Sequence, residues 1–110
     1  MTYDVKMVRE GRGGWVYYRE DGQTLPFDWD ITGVGFEIYT PRPVEWEEFC
    51  KQNNAMNCVG RRQEIVERIV EKIRRRWGNK NAEVVVDEMG ISFSFENDWL
   101  HSLISRLLGV

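Results

Sequence analysis

The sequence predicts an α+β fold, in which an antiparallel sheet carries two or three helices packed on one of its faces. Four segments before residue 40 alternate apolar and polar residues with the two-residue period of half-buried strands. Residues 44–52 and 60–77 show the spacing of amphipathic helices, and two strand patterns and a third helical pattern follow. The predicted order is therefore ββββααββα, and strands in runs are typical of α+β domains. The length of 110 residues favours a single domain.

The first two predicted strands are separated by a glycine-rich turn. Tyr3, Val5 and Met7 alternate with polar neighbours and predict the first strand. Residues 11–14 contain three glycines, which permit the positive φ angles of a tight reversal. Residues 15–19 are β-branched or aromatic apart from the final arginine, so they predict the second strand.

The third and fourth predicted strands complete an antiparallel meander. Asp21-Gly22 is a hairpin signal, and residues 25–31 then alternate between an apolar face and an acidic face. Pro26 has no N–H to donate, so this third strand is expected to lie at an edge of the sheet or to begin there. Residues 34–39 alternate in the same way and predict the fourth strand.

Helices and a second pair of strands account for the rest of the chain. Prolines and acidic residues near position 44 suit a helix start, and Gly78-Asn79 suits the end of the helix over residues 60–77. Residues 83–86 and 91–95 predict two strands joined by a turn at Gly90. A last helix, capped by Asn97 or Asp98, carries six large apolar residues, and their surplus could form a homodimer seam.

The charge is distributed unevenly along the chain. The net charge is −3, made up of −4 over residues 1–60, +5 over residues 61–80 and −4 over residues 81–110. A net acidic chain with a pI near 5.2 argues against a general nucleic-acid binder. Without a long apolar run or a secretion-signal pattern at the start, the expected location is the cytoplasm, with no membrane partner.

Few residues are suited to catalysis or to metal binding. A single histidine, His101, and two cysteines cannot form the usual four-ligand zinc site, and no phosphate-binding or nucleophile-elbow motif is present. We therefore predict no catalytic residue, no metal and no cofactor. Cys50 is expected in the core, whereas Cys58, just before a helix start, is the better candidate for a reactive thiol, alone or with His101. A disulfide bond between Cys50 and Cys58 is the alternative if the chain is exported.

The third and fourth strands present an acidic face that predicts a partner-binding surface. Asp28 and Asp30 share one side of a strand, and Glu37 follows on the next strand. Trp15 and Tyr17 supply aromatic side chains of the kind enriched in protein interfaces. The alternatives are a solvated strand face, which resists unwanted pairing, and a carboxylate pair for acid–base chemistry.

The helix over residues 60–77 carries the alternative surface. Its basic residues Arg61, Arg68, Lys72, Arg75 and Arg76 fall on one side, next to the apolar stripe, and predict a nucleic-acid-binding module as the second hypothesis. A structural explanation competes with this one. Glu64 and Glu71 each precede an arginine by four residues, and basic residues in the last turn favour the helix dipole.

Three segments carry a resemblance to known proteins. They are Trp15-Val16-Tyr17-Tyr18-Arg19-Glu20-Asp21-Gly22, then Leu25-Pro26-Phe27-Asp28-Trp29-Asp30, and then Pro43-Val44-Glu45-Trp46. Together they resemble small single-domain bacterial proteins of uncharacterised function, some of which are immunity partners of secreted toxins. The resemblance implies a protein-binding role. The missing catalytic residues favour a non-catalytic domain, and the acidic face predicts a basic protein as its partner.

Overall fold

The computed structural model describes residues 2–77 and 82–95, which form one six-stranded antiparallel sheet and two α-helices. The elements are β1 (Tyr3–Glu10), β2 (Gly13–Glu20), β3 (Gln23–Ile31), β4 (Gly35–Tyr39), α1 (Trp46–Gln52), α2 (Arg62–Trp77), β5 (Glu83–Asp87) and β6 (Gly90–Ser94). Short 3₁₀ turns at Pro43–Glu45 and Met56–Cys58 precede the two helices. The predicted α+β class is confirmed, and the predicted last helix, with His101, lies outside the described residues.

The sheet order is β1-β2-β3-β4-β6-β5, so the predicted four-stranded meander is confirmed and the second hairpin extends it. The hairpin joins through β6, which pairs with β4 in the register Ile38↔Ile91. Among the strands that the structure describes, β1 and β5 form the two edges of the sheet. No helix in the described ranges is long and apolar enough to cross a membrane.

The core lies between one face of the sheet and the two helices. Alternate residues of the strands are buried on this face because the side chains of a strand point to opposite sides with period two. The helices contribute Trp46 and Cys50 from α1 and Ile65, Val66, Ile69 and Ile73 from α2. Aromatic rings fill much of the space, as at Phe36 and Phe93, whose ring centroids lie 4.8 Å apart.

The prediction that Pro26 marks an edge strand is wrong, because β3 lies between β2 and β4. β4 pairs with β3 only over Trp29, Asp30 and Ile31. Among the described residues, Pro26 has a strand neighbour only in β2, where Tyr17 lies opposite. The missing N–H is therefore tolerated inside the sheet, since β4 ends before it reaches the position beside Pro26.

The glycine-rich segment is only partly a turn. Gly11 and Arg12 form the reversal, whereas Gly13 and Gly14 already belong to β2 and pair with β1. Gly14 has a φ of 154°, and a Cβ atom there would overlap the carbonyl oxygen of Val8. Glycine at this position therefore permits the close approach of two backbones within the sheet.

Candidate functional site

The sheet face turned away from the helices, here called the open face, brings the predicted partner-binding residues together. Trp15 lies directly opposite Asp28 in the β2–β3 register, and Asp30 lies opposite Glu37 in the β3–β4 register. Tyr17 follows Trp15 on the same side of β2. All five predicted residues therefore occupy one continuous area across three neighbouring strands.

The carboxylates of the open face carry negative charge that the rest of the described chain does not neutralise. Asp28 and Asp30 are exposed, and half-buried Glu37 accepts a hydrogen bond of 3.3 Å from the hydroxyl of Ser92. In residues 2–77 and 82–95, no lysine or arginine forms an ion pair with any of the three. A basic group from another molecule would complement this charge.

Tyr39 lies beside Asp28, Asp30 and Glu37, which together form the acidic area of the open face. The sequence prediction did not include Tyr39. Its side chain is 41% exposed on β4, on the side that Glu37 occupies. Burial, followed by the negative charges of Glu37, Asp30 and Asp28, raises the pKa of Tyr39. The geometry agrees, since Glu37 lies two residues before Tyr39 on β4 and directly opposite Asp30. The sequence signal for Tyr39 was its position two residues after Glu37, which places both side chains on the same face of the strand.

Aromatic side chains form a row along β2 beside the carboxylates. The rings of Trp15 and Tyr17 stack at 6.5 Å between centroids, with 22° between their planes. The guanidinium of Arg19 lies 5.8 Å from the centroid of Tyr17 and extends the row. Both aromatic side chains are only half-buried, so they present flat apolar surface to solvent next to Asp28.

The first two arginines of the predicted basic surface point to a buried carboxylate. Glu20 on β2 has a side chain only 1% exposed. Arg61 donates from both terminal nitrogens to the two oxygens of Glu20, and Arg68 donates to Oε1 at 2.6 Å. The hydroxyl of Tyr18 donates to the same oxygen at 2.6 Å and accepts from Arg68 at 2.8 Å. Glu64 pairs with both arginines from α2 and completes the Glu20 network.

The remaining residues of the basic surface are less constrained. Lys72 lies 5.1 Å from the ring centroid of Tyr3, and Arg75 pairs with Glu71 at 2.8 Å. The predicted pairs of Glu64 with Arg68 and of Glu71 with Arg75 both form. Arg75 and Arg76 are exposed. The surface is therefore divided into an internal half, near the start of α2, and an exposed half, near its end.

The Glu20 network suits an electrostatic anchor better than acid–base chemistry. The hydrogen bonds from Arg61, then that from Tyr18 and the positive charge of both arginines, outweigh burial and hold the pKa of Glu20 at about 2. Burial, together with the bond to Glu20, raises the pKa of Tyr18 to about 12. Neither group changes protonation near neutral pH. The network instead joins β2 to α2.

Sequence analysis did not identify Glu20 as a buried carboxylate. A signal was present in the alternation, since Glu20 follows Val16 and Tyr18 at two-residue steps and shares their buried face. Arg61 and Arg68 are seven residues apart, about two helical turns, and so lie on one side of the helix. Combining the two patterns would have suggested a buried ion pair.

The cysteine predictions divide between the two residues. Cys50 is fully buried, as predicted, and burial raises the pKa of its thiol to about 11. Cys58, named as the better candidate for a reactive thiol, does not fit that role, because it is only 1% exposed and burial raises the pKa of its thiol too. Both thiols are free, so no bridge joins them. The carbonyl of Cys58 accepts a 2.8 Å hydrogen bond from the indole of Trp46.

Comparison with protein-family models, with curated proteins and with solved structures finds no match to this chain. The resemblance to small bacterial immunity proteins therefore stays a prediction.

Proposed function

We propose that this chain is a non-catalytic protein-binding domain whose open face engages a basic protein. The observation that carries the proposal is the set of three carboxylates, Asp28, Asp30 and Glu37, which lack ion-pair partners among the described residues. Charges held near one another on a sheet repel each other, and a basic partner relieves that repulsion. Complementary charge also accelerates association with a partner of opposite sign.

The aromatic row supplies the part of the binding energy that charge does not. Trp15 and Tyr17 are rigid, largely apolar and half-exposed, and side chains of this kind dominate interface energies when a partner covers them. The antiparallel strands hold them in a fixed register beside Asp28. A partner would therefore place apolar surface over β2 and basic side chains over β3 and β4.

We further propose that the partner is a bacterial toxin, which this domain inhibits as an immunity-type protein. This part rests on the resemblance of residues 15–22, 25–30 and 43–46 to such proteins. A domain of this kind needs an acidic or aromatic surface that covers the partner's site, and it needs no reactive group of its own. The open face fits that requirement.

The second hypothesis, a nucleic-acid-binding module on α2, has weaker support. Arg61 and Arg68 are only 23% and 22% exposed, and Glu20 and Glu64 neutralise them. The exposed residues at the end of the helix remain available to phosphate. Binding of the full chain to RNA or DNA at about 50 mM salt, lost on replacement of Arg75 and Arg76 by alanine, would support this alternative.

Site-specific crosslinking tests the proposed function. We would place a photoreactive phenylalanine analogue at Tyr17 on the open face or, as a control, at Val44, which is 83% exposed in the turn before α1. The expected result is a basic bacterial protein crosslinked from position 17 and absent from position 44. The same product should disappear when Asp28 and Asp30 are both replaced by lysine.

Three outcomes would contradict the proposal. These are no product from position 17, the same products from both positions, and a product that survives the double charge reversal. Co-expression of the captured protein then tests inhibition. The immunity-type role predicts that the captured protein arrests growth alone and that the full chain restores growth.

A further inference from the structure

The edge strand β5 has exposed apolar side chains and one backbone edge without a strand neighbour. Within the ranges that the structure describes, β5 pairs with β6 alone. Val85 and Val86 are 50% and 49% exposed, although most edge strands protect themselves with charged or covered side chains. The free N–H and C=O groups of such an edge can pair with an added strand.

A groove runs beside this edge, between β5 and α2. Its volume is about 710 Å³, and Val66, Val70 and Val86 contribute apolar side chains to its lining. Val84 and Val86 lie opposite Phe93 and Ile91, so they face the helices, whereas Val85 lies opposite Ser92 on the open face. Alternate side chains of a strand added at β5 would therefore enter the groove, and the others would extend the open face.

Charge at the ends of β5 disfavours a second copy of this chain as the occupant. In a symmetric antiparallel pair of β5 strands centred on Val85, Glu83 of each copy would lie opposite Asp87 of the other. Like charges directly opposite each other destabilise a strand pair. The Oδ1 of Asp87 is held by hydrogen bonds that it accepts from the backbone N–H groups of Met89 and Gly90.

The same charges favour a strand with basic residues at its ends. Residues opposite Glu83 and Asp87 would point to the open face, where lysine or arginine would pair with the two carboxylates. The row Glu37, Ser92, Val85 links this edge directly to the acidic area. A basic partner on the open face thus finds an unpaired strand edge at the border of its binding surface.

We propose that β5 and the groove beside it bind an extended basic–apolar–any–apolar–basic segment of the partner by strand addition. This inference rests on the proposed function, because it specifies how the basic partner docks. The two apolar residues of the segment enter the groove between β5 and α2. Its two basic residues pair with Glu83 and Asp87, and its backbone bonds to the free edge of β5.

A synthetic peptide tests the pairing. The probe is acetyl-Ser-Lys-Val-Thr-Val-Lys-Ser-amide, titrated into the full-length, ¹⁵N-labelled chain and followed by amide chemical shifts. The expected result is perturbation of β5 and of the groove side of α2. Replacing both peptide lysines by glutamate should weaken binding about tenfold, the worth of two exposed ion pairs. N-methylation at alternate peptide residues should weaken binding about tenfold in one set and leave the other set unaffected.

Val85 and Val86 provide a matched pair of variants, because they are equally exposed on opposite faces of β5. Val86→Ser should weaken binding of the peptide by about tenfold, since it removes apolar surface from the groove. Val85→Ser should change affinity by less than about twofold. Because both positions are half-exposed at an edge, both variants should fold, and circular dichroism checks that they do.

Several results would overturn strand addition. They are shifts confined to the open face, equal sensitivity to N-methylation in both sets, and equal effects of the Val85 and Val86 variants. A concentration-dependent dimer would show that a second copy of this chain occupies the edge of β5. Contacts from β5 to residues of the same chain beyond the described ranges would likewise contradict binding of a partner segment there. If the captured partner loses affinity on reversal of Asp28 and Asp30 but ignores Val86→Ser, the proposed function stands and this docking mode fails.

Discussion

Replacement of Glu20 by glutamine removes the buried charge that Arg61, just before α2, and Arg68, within α2, both contact. In the folded chain the pKa of Glu20 lies at about 2, against an ordinary value of 4.5. A lowering of that size corresponds to about 3 kcal/mol of stabilisation of the ionised form, at 1.36 kcal/mol for each pH unit. Loss of one partner from a buried ion pair costs a similar 3–5 kcal/mol or so, because the arginines stay partly buried without their carboxylate.

The sign of the pH dependence follows from the direction of the shift. Because folding lowers the pKa, the contribution of Glu20 is complete above about pH 4.5 and is lost as the pH falls towards 2. We expect the free energy of unfolding of Glu20→Gln to be about 3 kcal/mol lower than that of the native chain at pH 7. The difference between the two chains should shrink as the pH falls towards 2. Glu10→Gln, on exposed β1 surface, should change stability by less than about 0.5 kcal/mol at every pH.

Urea unfolding between pH 2 and pH 7 measures this difference, with fluorescence of the buried Trp29 and Trp46 as the signal. A difference below about 1 kcal/mol at pH 7 would refute the buried network. So would a difference that is the same at pH 7 and pH 3, since a loss of packing alone does not depend on the protonation of Glu20.

Three further predictions follow from the fold. Gly35→Ala should lower stability by several kcal/mol in urea unfolding, because the new Cβ would overlap the carbonyl oxygen of Phe93, whereas Gly33→Ala, in open space, should stay within about 0.5 kcal/mol. Cys58 should react with iodoacetamide more slowly than a model thiol and reach the model rate in urea, and a native rate equal to the model rate would contradict its burial. Ultraviolet titration should show a lower pKa for Tyr39 in Asp30→Asn than in the native chain, because the variant lacks one of the negative charges that raise it. An unchanged titration curve would contradict the carboxylate cluster around Tyr39.

Much of the fold could be predicted because alternation and helical spacing report directly on burial. The strand pattern at Leu25, Phe27 and Trp29 predicted the buried face of β3, and all three side chains are buried. The position of that strand in the sheet could not be predicted from Pro26, because β4 pairs only with the later part of β3 and ends before it reaches Pro26. Strand order is a property of distant contacts, which the local pattern does not contain.

The candidate site divides in the same way. The acidic and aromatic residues of the open face could be grouped, since short antiparallel connections place neighbouring strands side by side. The role of Arg61 could not be assigned, because its carboxylate partner lies 41 residues away at the end of β2. The burial of Cys58 was missed as well, in a segment whose carbonyl accepts a hydrogen bond from the indole of Trp46, 12 residues earlier in the chain. In each case the deciding contact joins residues far apart in the chain.

The most direct test of the central claim is the association rate of the captured partner with the native chain and with the Asp28→Lys/Asp30→Lys variant, measured over a range of salt concentrations. If the open face attracts a basic protein, the variant should associate more slowly than the native chain at low salt. Its rate should also depend less on salt, because part of the attraction that salt screens is gone. Equal association rates and equal salt dependence for the two chains would contradict the assignment of the open face as the binding surface.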